Sequence, residues 1–341
     1  MHRSEISIDL GALRRNVAAL LRALDGADLW AVVKANGYGH GAVDVAGAAL
    51  GAGASALCVA TVPEGLALRR EFVGVRILVM GPASSSREIA HAREADLELA
   101  VSGDDIPEGV RVHIKLETGM GRYGLAELPD APGPEVVGLM THLATADTDI
   151  EFARAQLERF LAATADYAHL TRHAANSAAV LRLPESHLDA ARCGIALYGL
   201  SPFGSDPADD GLEPVLSWQS HLAHVKLLQP GESTGYGRRF VAERPTWIGL
   251  VPVGYADGFR RNLTRTKVRV AGALRRVIGT ISMDSFAVEL DRELPVGTPV
   301  VLLGHGVLAE RHARVARTIN YELVCGIESS PLRARRTVVD G

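Results

Sequence analysis

Cysteine is scarce in this sequence, and its three copies lie far apart. No two of Cys58, Cys193 and Cys325 form a CxxC pair, so neither a disulfide framework nor a zinc site is indicated. The sequence also lacks a run of about 18 apolar residues, the length that a membrane-spanning helix needs. Its first sixteen residues contain no apolar core of a signal peptide. These absences predict a soluble, cytoplasmic protein with reduced thiols and no metal centre.

An excess of charge of one sign is also lacking. The chain has 36 Lys and Arg against 40 Asp and Glu, a formal net charge of −4. This weak imbalance gives no reason to expect nucleic acid or an anionic membrane as a partner. Hydrophobic residues make up 47% of the 341 residues, enough for a sizeable core. A chain of this length suits a (β/α)8 barrel with an added module, or two medium-sized domains.

Short apolar runs alternate with amphipathic stretches in the first part of the chain. The predicted strands are Leu29–Lys34, Ala56–Thr61, Val75–Met80, Leu97–Val101, Arg111–Leu116 and Val136–Thr141, with His169–His173 and Leu188–Ala191 as weaker candidates. The predicted helices are Ala42–Gly51, Pro63–Arg70, Ser86–Glu94 and Ile150–Tyr167. Repeated β–α units of this kind favour an N-terminal (β/α)8 barrel, with functional residues on the loops after the carboxyl ends of the strands.

The predicted secondary structure changes after Pro214, from alternating strands and helices to mostly strands. Most of the remaining chain reads as strands separated by Gly, Pro and Asp turns; these are Leu216–Gln229, Trp247–Val253, Lys267–Val270, Arg276–Ile281, Phe286–Leu290 and Pro299–Leu303, before one helix at Val307–Thr318. We therefore expect a barrel over residues 1–213 and a mostly β C-terminal domain over 214–341, joined by the Pro- and Asp-rich stretch Ser201–Pro214. The first few residues are candidates to join the β domain.

The strongest local signal is AVVKANGYGHG, in which Lys34 ends an apolar strand. A lysine packed at the mouth of a barrel loses hydration, and this lowers the pKa of its amine, as a Schiff-base lysine requires. The glycines that follow allow a sharp turn and a close approach to a ligand. By spacing alone, however, a lysine that merely snorkels from a strand end is the more common case.

The whole string closely resembles the pyridoxal-phosphate (PLP) lysine motif of the alanine racemase family. Further motifs that resemble those of the family follow in order: KLETGMGRYG (115–124), THLATAD (141–147), HAANSA (173–178), RCGIALYG (192–199), VPVGYADG (251–258), GTISMD (279–284) and TINYEL (318–323). Colinear motifs along nearly the whole chain are far more specific than any one of them. The resemblance implies a PLP-dependent amino-acid racemase that acts on alanine, works as a homodimer and supplies D-alanine for peptidoglycan.

The resemblance also implies two acid–base groups on opposite faces of the substrate. Lys34 would carry the cofactor and act on one face, and Tyr255 of the other subunit would act on the opposite face. A tyrosine is a poor base near neutral pH unless its phenolate is stabilised, and the family links it to His142 and Arg192. Without the resemblance, Tyr255 would be interpreted as an aromatic residue packed under a glycine-rich loop. His142 would be interpreted as a hydrogen-bonded histidine at the end of a strand, without a catalytic role.

Arg192 is the residue that best separates classes of PLP enzyme. In the family it faces the pyridine nitrogen, and because a guanidinium cannot give up its proton or accept one, the cofactor stays a weaker electron sink. This favours simple reprotonation over transamination. An acidic residue there would have favoured the related decarboxylases. Non-catalytic PLP-binding relatives are usually a barrel alone, without the domain that carries Tyr255.

The remaining site residues also follow from the resemblance. The cofactor phosphate would be held by Tyr38, Ser177 and the backbone N–H groups of Gly194 and Ile195, although Ser177 alone reads equally well as a helix N-cap. Arg122 matches the arginine that contacts the substrate carboxylate. Lys115 matches a lysine that is carbamylated in many members of the family. Met283 and Asp284 match the pair by which the partner subunit lines the substrate pocket.

The sequence departs from the family pattern at three positions. Thr280 stands where an arginine is often found, and Cys193 stands where proline is usual. Near Ser329 many members have a tyrosine that narrows the entrance to the catalytic centre, and no tyrosine follows Tyr321 here. A wider entrance motivates an alternative function, a racemase of broader or different amino-acid specificity.

Overall fold

The structure, a computed structural model, describes residues 2–83, 85–103, 105–129 and 133–341. Backbone contacts divide the chain into two compact units. One unit contains Leu13–Phe203 and Ala208–Glu213; the other contains the segment up to Ala12, Gly204–Pro207 and Pro214–Gly341. Of the helices in the described ranges, none combines the length and the apolar character needed to cross a membrane.

The first part of the chain alternates strands and helices. In chain order these are β1 (Glu5–Asp9), α1 (Leu10–Leu24), β2 (Asp28–Val32), α2 (Lys34–Tyr38), α3 (Ala42–Gly51), β3 (Ala56–Val59), α4 (Val62–Glu71), β4 (Arg76–Val79), α5 (Ser86–Glu94), β5 (Glu98–Val101), β6 (Val112–Lys115), β7 (Val136–Met140), α6 (Ile150–Ala163), β8 (Thr171–His173), α7 (Ser177–Arg182) and β9 (Ala190–Cys193).

Strands β2 to β9 form one parallel sheet in the order β8-β7-β6-β5-β4-β3-β2-β9. The two end strands meet through backbone hydrogen bonds from Asp189 N to Arg172 O (3.1 Å) and from Arg192 N to Ala175 O (3.0 Å). The sheet therefore curls into a nearly closed eight-stranded barrel, and the predicted fold class is confirmed. Strand β9 begins two residues later than predicted because Leu188 has a left-handed backbone, with φ +52°, which no strand accommodates.

Helix α1 was not predicted from the sequence. Its buried face consists of Leu13, Val17, Leu20 and Leu24, which recur at the spacing of a helix and are at most 2% exposed. The second helix, α2, is a single turn of unusual hand and belongs to the site described below.

The second part of the chain is mostly β structure. Its elements are β10 (Leu216–His221), β11 (His224–Leu228), β12 (Ser233–Thr234), β13 (Phe240–Val241), β14 (Thr246–Val251), β15 (Lys267–Val270), β16 (Ala273–Ile278), β17 (Phe286–Leu290), β18 (Pro299–Leu303), α8 (Ala309–Ala316), α9 (Asn320–Cys325) and β19 (Arg335–Val339). A nine-stranded sheet has the order β11-β14-β17-β16-β15-β18-β10-β1-β19, and β12 pairs with β13 alone.

The single strand predicted over Leu216–Gln229 is in fact two strands. Strand β10 pairs with β18, whereas β11 pairs with β14. The chain changes partner at Leu222 and Ala223, whose N–H groups donate to Thr298 O and Leu250 O respectively. Residues 216–229 contain neither glycine nor proline to mark this change, so the sequence pattern alone could not reveal it.

Candidate active site

Lys34 begins a left-handed turn directly after β2. Ala35, Asn36, Gly37 and Tyr38 have φ values of +53°, +52°, +62° and +52°. Such a conformation is unfavourable for residues other than glycine, so other contacts must hold it. The N–H of Ala35 donates to the Glu64 carboxylate (2.8 Å), and Asn36 Oδ1 accepts from Ala42 N (3.0 Å). The turn leaves Lys34 half-buried at the carboxyl end of β2.

Tyr38 is held against the loop that follows β9. Its ring packs against Tyr198 with ring centres 4.9 Å apart, and Tyr198 Oη donates to Val32 O (2.9 Å). A Cβ on Gly194 would lie 2.5 Å from Tyr38 Oη, so only glycine fits there. Ser177 Oγ accepts from Gly194 N (3.0 Å) and is itself buried. Two hydroxyl groups and the backbone after β9, including the buried Ile195, therefore converge on one small region.

The Arg192 guanidinium is buried inside the barrel, at 3% exposure. Nη1 donates to the ring Nδ1 of His173 (2.6 Å) and to His173 O (2.9 Å). Nη2 donates to Thr141 O (2.7 Å) and lies 3.5 Å from His142 Nδ1. Burial lowers the pKa of Arg192 to about 10, so the side chain stays a cation at neutral pH. Among the described carboxylates, none forms an ion pair with it.

His142 follows β7 and stands among cations. Burial and the nearby charges of Arg192, Arg122, Lys115 and Lys34 lower its pKa to about 3. The ring is therefore neutral near physiological pH. The predicted cations Arg192, Arg122, Lys115 and Lys34 therefore lie close enough to His142 to lower its pKa.

Lys115 is the last residue of β6 and is 4% exposed. Burial and the charges of Arg122 and Arg192 lower the pKa of its ammonium to about 8. The loop that carries Arg122 is organised by Glu117, whose carboxylate accepts from the N–H groups of Gly119, Gly121 and Arg122 at 2.6, 2.9 and 3.2 Å. Arg122 itself is exposed.

Tyr255 lies in the second unit, on a short turn that a buried carboxylate stabilises. Asp257 is 1% exposed and accepts from Gly254 N (2.8 Å). Arg3 and Arg333 pair with its two carboxylate oxygens at 3.4 and 3.3 Å. Tyr255 itself is 44% exposed in the single chain. These contacts hold the turn, while the phenol ring of Tyr255 is exposed.

Met283 and Asp284 are adjacent to this turn in the same unit. The N–H groups of Tyr255 and Ala256 donate to Ser282 O and Met283 O, each at 3.1 Å. Arg333 Nη1 pairs with the Asp284 carboxylate at 2.9 Å. Tyr255, Met283 and Asp284 therefore form one connected surface within the β unit.

Several residues of this region were not given a role from the sequence. Asp257 lies in the same sequence motif as Tyr255, and Tyr198 lies in the same motif as Arg192. Their closeness in sequence to these predicted site residues could have identified them as candidates. Arg3 and Arg333 reach the Tyr255 turn from near the two ends of the chain, and His173 contacts Arg192 from the neighbouring strand of the barrel. No local pattern predicts contacts over such separations.

A nearly closed parallel barrel with lysine, arginine and histidine side chains at the carboxyl ends of its strands has the arrangement of a β/α-barrel enzyme. A family model described as "Alanine racemase, N-terminal domain" matches residues 8–202, and one described as "Alanine racemase, C-terminal domain" matches residues 215–336. The chain belongs to the alanine racemase family. The family membership predicted from the motifs is thereby confirmed.

Individual relatives agree with this assignment. The chain is 42% identical to an alanine racemase of Symbiobacterium thermophilum, covering 94% of this chain and 93% of the relative. It is 41% identical to alanine racemase 1 of Bacillus subtilis, covering 94% and 90%. The crystal structure of alanine racemase from Streptomyces lavendulae is similar, with a TM-score of 0.89, 36% identity and coverage of 100% and 98%.

Proposed function

We propose that the protein is an alanine racemase that interconverts L- and D-alanine with PLP as its cofactor. The observation that carries the proposal is the 41–42% identity to relatives named alanine racemase over nearly the full length of both chains. Enzymes of this kind need an amine at a barrel mouth, and Lys34 lies at the end of β2. D-Alanine for peptidoglycan is the corresponding cellular product, and a cytoplasmic location, testable by cell fractionation, stays a prediction.

The donor groups of the barrel fit PLP. The hydroxyls of Tyr38 and Ser177 and the backbone of Gly194 and Ile195 offer hydrogen bonds to a phosphate, and the close fit of Gly194 against Tyr38 leaves no room for a side chain. Lys34 would hold the aldehyde end and Arg192 the pyridine nitrogen. When bound, PLP supplies an electron sink that acidifies the Cα–H bond of the amino acid.

Arg192 limits how strong that sink becomes. Its Nη groups donate to fixed acceptors, and a guanidinium has no lone pair with which to take up a proton. A pyridine nitrogen placed against Arg192 would find no proton there, so the bound cofactor would supply a weaker electron sink. Arg192 would thereby favour reprotonation at Cα over transamination or decarboxylation.

Protons are moved by two residues. Lys34 removes or returns the Cα proton on one face, and Tyr255 of the partner subunit does so on the other, in a homodimer with shared sites. Asp257, Arg3 and Arg333 hold the Tyr255 turn in place. The neutral His142 ring and the Arg192 cation are the groups proposed to link to the Tyr255 hydroxyl.

The substrate carboxylate would be bound by Arg122, which Lys115 orients once its amine is carbamylated. Met283 and Asp284 of the partner subunit would line the rest of the pocket. The boundary at about residue 213 then separates a cofactor-binding barrel from a β domain that serves the neighbouring subunit.

Visible absorption and racemisation assays of the purified protein test the proposal. We expect a visible PLP band that is lost in Lys34→Ala, and loss of racemisation in Tyr255→Phe with the band retained. Tyr236→Phe, at an exposed tyrosine of the same unit, serves as the matched control and should leave both readings unchanged. Undiminished racemisation by Tyr255→Phe would overturn the two-base assignment.

Ser329 supports a second candidate, a racemase of broader specificity. By the family resemblance, many members have a tyrosine near this position that narrows the entrance, and no tyrosine follows Tyr321 in this chain. A panel of L-amino acids assayed by polarimetry decides between the two. The first candidate requires alanine to have the highest kcat/KM, whereas a higher value for serine or lysine establishes the second.

A further inference from the structure

Four buried side chains form a continuous hydrogen-bonded chain across the barrel interior. Arg192 Nη1 contacts His173 Nδ1 at 2.6 Å, His173 Nε2 contacts His113 Nδ1 at 2.9 Å, and His113 Nε2 contacts the Glu98 carboxylate at 2.8 Å. The four residues come from β9, β8, β6 and β5. None is more than 3% exposed. The chain therefore connects the guanidinium of the proposed site to a carboxylate that the proposed mechanism does not use.

Only one arrangement of protons satisfies every contact in this chain. The guanidinium can only donate, so His173 Nδ1 must be an acceptor and a neutral His173 carries its proton on Nε2. That proton goes to His113 Nδ1, which places the His113 proton on Nε2. The Glu98 carboxylate, an acceptor only, ends the series. All hydrogen bonds then point from Arg192 towards Glu98.

The opposite direction is incompatible with Arg192. If His113 carried its proton on Nδ1, it would donate to His173 Nε2 and force the His173 proton onto Nδ1. Two N–H groups would then face each other over the 2.6 Å between His173 and Arg192. A buried donor left without an acceptor costs about 1–3 kcal/mol in proteins generally. Arg192 at one end and Glu98 at the other therefore favour the same direction, and without Glu98 the buried His113 Nε2–H would be left without an acceptor.

We propose that Glu98 is a positioning residue for the racemase reaction: it fixes the tautomers of His113 and His173 and thereby holds the Arg192 guanidinium in place. This assignment rests on the proposed function, because Arg192 matters only if it faces the cofactor ring. Glu98 itself touches neither the cofactor nor the substrate. Glu98, on β5, acts on Arg192, on β9, through the two histidines that lie between them.

The surroundings of Glu98 keep it ionised. Arg76 Nε and Arg111 Nε both donate to Oε1 at 3.1 Å, while Oε2 accepts the hydrogen bond from His113 Nε2 at 2.8 Å. Burial raises the pKa of the Glu98 carboxyl, but His113, Arg76 and Arg111 outweigh it and the pKa lies below its usual value. Trp30 packs against both histidine rings, with ring centres 5.6 and 4.6 Å apart.

The histidines are equally well fixed. Burial, followed by the charge of Arg192, keeps the pKa of His173 well below its usual value. Burial also lowers the pKa of His113 in spite of Glu98. Gly138 of β7 lies against the His113 ring, and a Cβ there would be 2.1 Å from Nδ1. The strand thus provides the space that the ring needs to reach His173.

Nitrogen-15 NMR of the histidine rings tests the assignment directly. In the PLP-loaded enzyme labelled at histidine, we expect His113 and His173 to be neutral with the proton on Nε2 from about pH 6 to pH 8. The charged groups that act on these rings, besides the two histidines themselves, are Glu98, Arg76 and Arg192. A His113 ring protonated on Nδ1, or charged, in the wild-type enzyme overturns the proposal.

Two substitutions separate positioning from simple packing. Glu98→Leu keeps the volume but removes the acceptor, so we expect a mixture of His113 tautomers, a kcat reduced about tenfold or more and an increased share of transamination per turnover. Glu98→Gln keeps the shape but leaves one acceptor oxygen, which Arg76 and Arg111 hold, so its NH2 group faces His113 Nε2. We therefore expect the Nδ1–H tautomer of His113 and no rescue of kcat. Wild-type tautomers in both variants contradict the proposal.

Arg111→Gln is the matched control, since Arg111 also contacts Glu98 but is half-exposed and outside the chain of tautomers. It should leave the His113 tautomer as in the wild type. If Glu98→Leu does not fold, the wild-type spectrum and Glu98→Gln still decide the question. Because the tautomers are read by NMR in the PLP-free protein as well, a protein that binds no PLP would refute the proposed function while leaving the role of Glu98 measurable.

Discussion

A single lysine shows how the barrel alters the chemistry of a residue. Lys115 is held at the end of β6, where burial and the charges of Arg122 and Arg192 lower the pKa of its ammonium to about 8. An ordinary lysine, with a pKa near 10.4, has almost no neutral amine at pH 7, whereas a pKa of about 8 leaves roughly one tenth neutral. Only the neutral amine can add carbon dioxide, releasing one proton and forming a carbamate. The environment of Lys115 thus favours this modification.

The first prediction follows from that pKa. With 13C-labelled bicarbonate, we expect a carbamate signal in the carbon-13 NMR spectrum of the wild type that grows between pH 6 and pH 8, as the ammonium deprotonates. Lys115→Arg should remove the signal, because a guanidinium forms no carbamate under these conditions. Lys226→Arg, at a position outside the barrel, is the control and should retain the signal. Loss of the signal in both variants would rule out Lys115 as its specific source.

At the scale of secondary-structure elements, the turn after β2 is the least expected feature. Four successive residues with positive φ are costly, since only one of them is glycine. Glu64 of α4 offsets part of that cost. Its carboxylate accepts from Ala35 N at 2.8 Å, and also from Ala60 N and Thr61 N as part of the N-terminal cap of α4. One side chain therefore joins the loop after β3 to the loop that carries Lys34.

Removing that carboxylate should loosen both loops. We expect Glu64→Ala to lower the free energy of unfolding by about 1–2 kcal/mol, the usual range for losing a helix cap, and to weaken PLP binding because the Lys34 turn is less well held. Chemical denaturation and titration of the PLP-free protein with PLP measure the two effects. Glu71→Ala, at the exposed end of the same helix, should change neither. A loss of stability without any loss of PLP affinity would show that the turn does not depend on Glu64.

How much could be predicted from sequence also depends on the element. Helix α3 and helix α5 have the bounds predicted for them, because their patterns are regular and their ends are marked by loops. A sharp turn after β2 was predicted from its glycines, but the left-handed backbone of Ala35 and Tyr38 was not, since alanine and tyrosine carry no signal for it. The motifs predicted which barrel residues gather around His142, but the chain from Arg192 to Glu98 joins four strands, and only the closed sheet brings them together.

For the whole molecule, buried histidines set the response to acid. Burial lowers the pKa of His113, His142, His173 and His312 below the usual value, so the folded state binds their protons only at lower pH than the unfolded state does. Their contribution to the free energy of unfolding is therefore fully present well above pH 6.5, the usual pKa of histidine. It is lost as the pH falls from there towards their lower pKa values in the folded state. Between pH 7.5 and 5.5, each such histidine contributes up to about 1.4 kcal/mol to this loss.

His312 offers a test that avoids the proposed active site. Its ring contacts Thr266 Oγ1 and Leu302 O, each at 2.7 Å, in the second unit. We expect His312→Gln to be less stable than the wild type at pH 7.5 but to lose less stability on acidification, with a difference of up to about 1.4 kcal/mol in urea denaturation. His169→Gln, at an exposed position, should follow the wild type. An unchanged pH dependence in His312→Gln would mean that this histidine takes up its proton at the same pH in the folded and unfolded states.

The proposed sharing of sites between subunits makes a quantitative prediction for mixed dimers. Lys34→Ala and Tyr255→Phe each inactivate a homodimer, because every site then lacks one base. If Tyr255 serves the neighbouring subunit, a hybrid dimer has one site lacking both bases and one site with both intact. Random reassociation makes about half of the dimers hybrids, so an equimolar mixture should regain about one quarter of the wild-type activity.

If each site drew both bases from one subunit, every site in the mixture would lack a base and no activity would return. Mixing separately dissociated variants and assaying racemisation before and after reassociation distinguishes the two cases, with Lys34→Ala mixed with itself as the baseline.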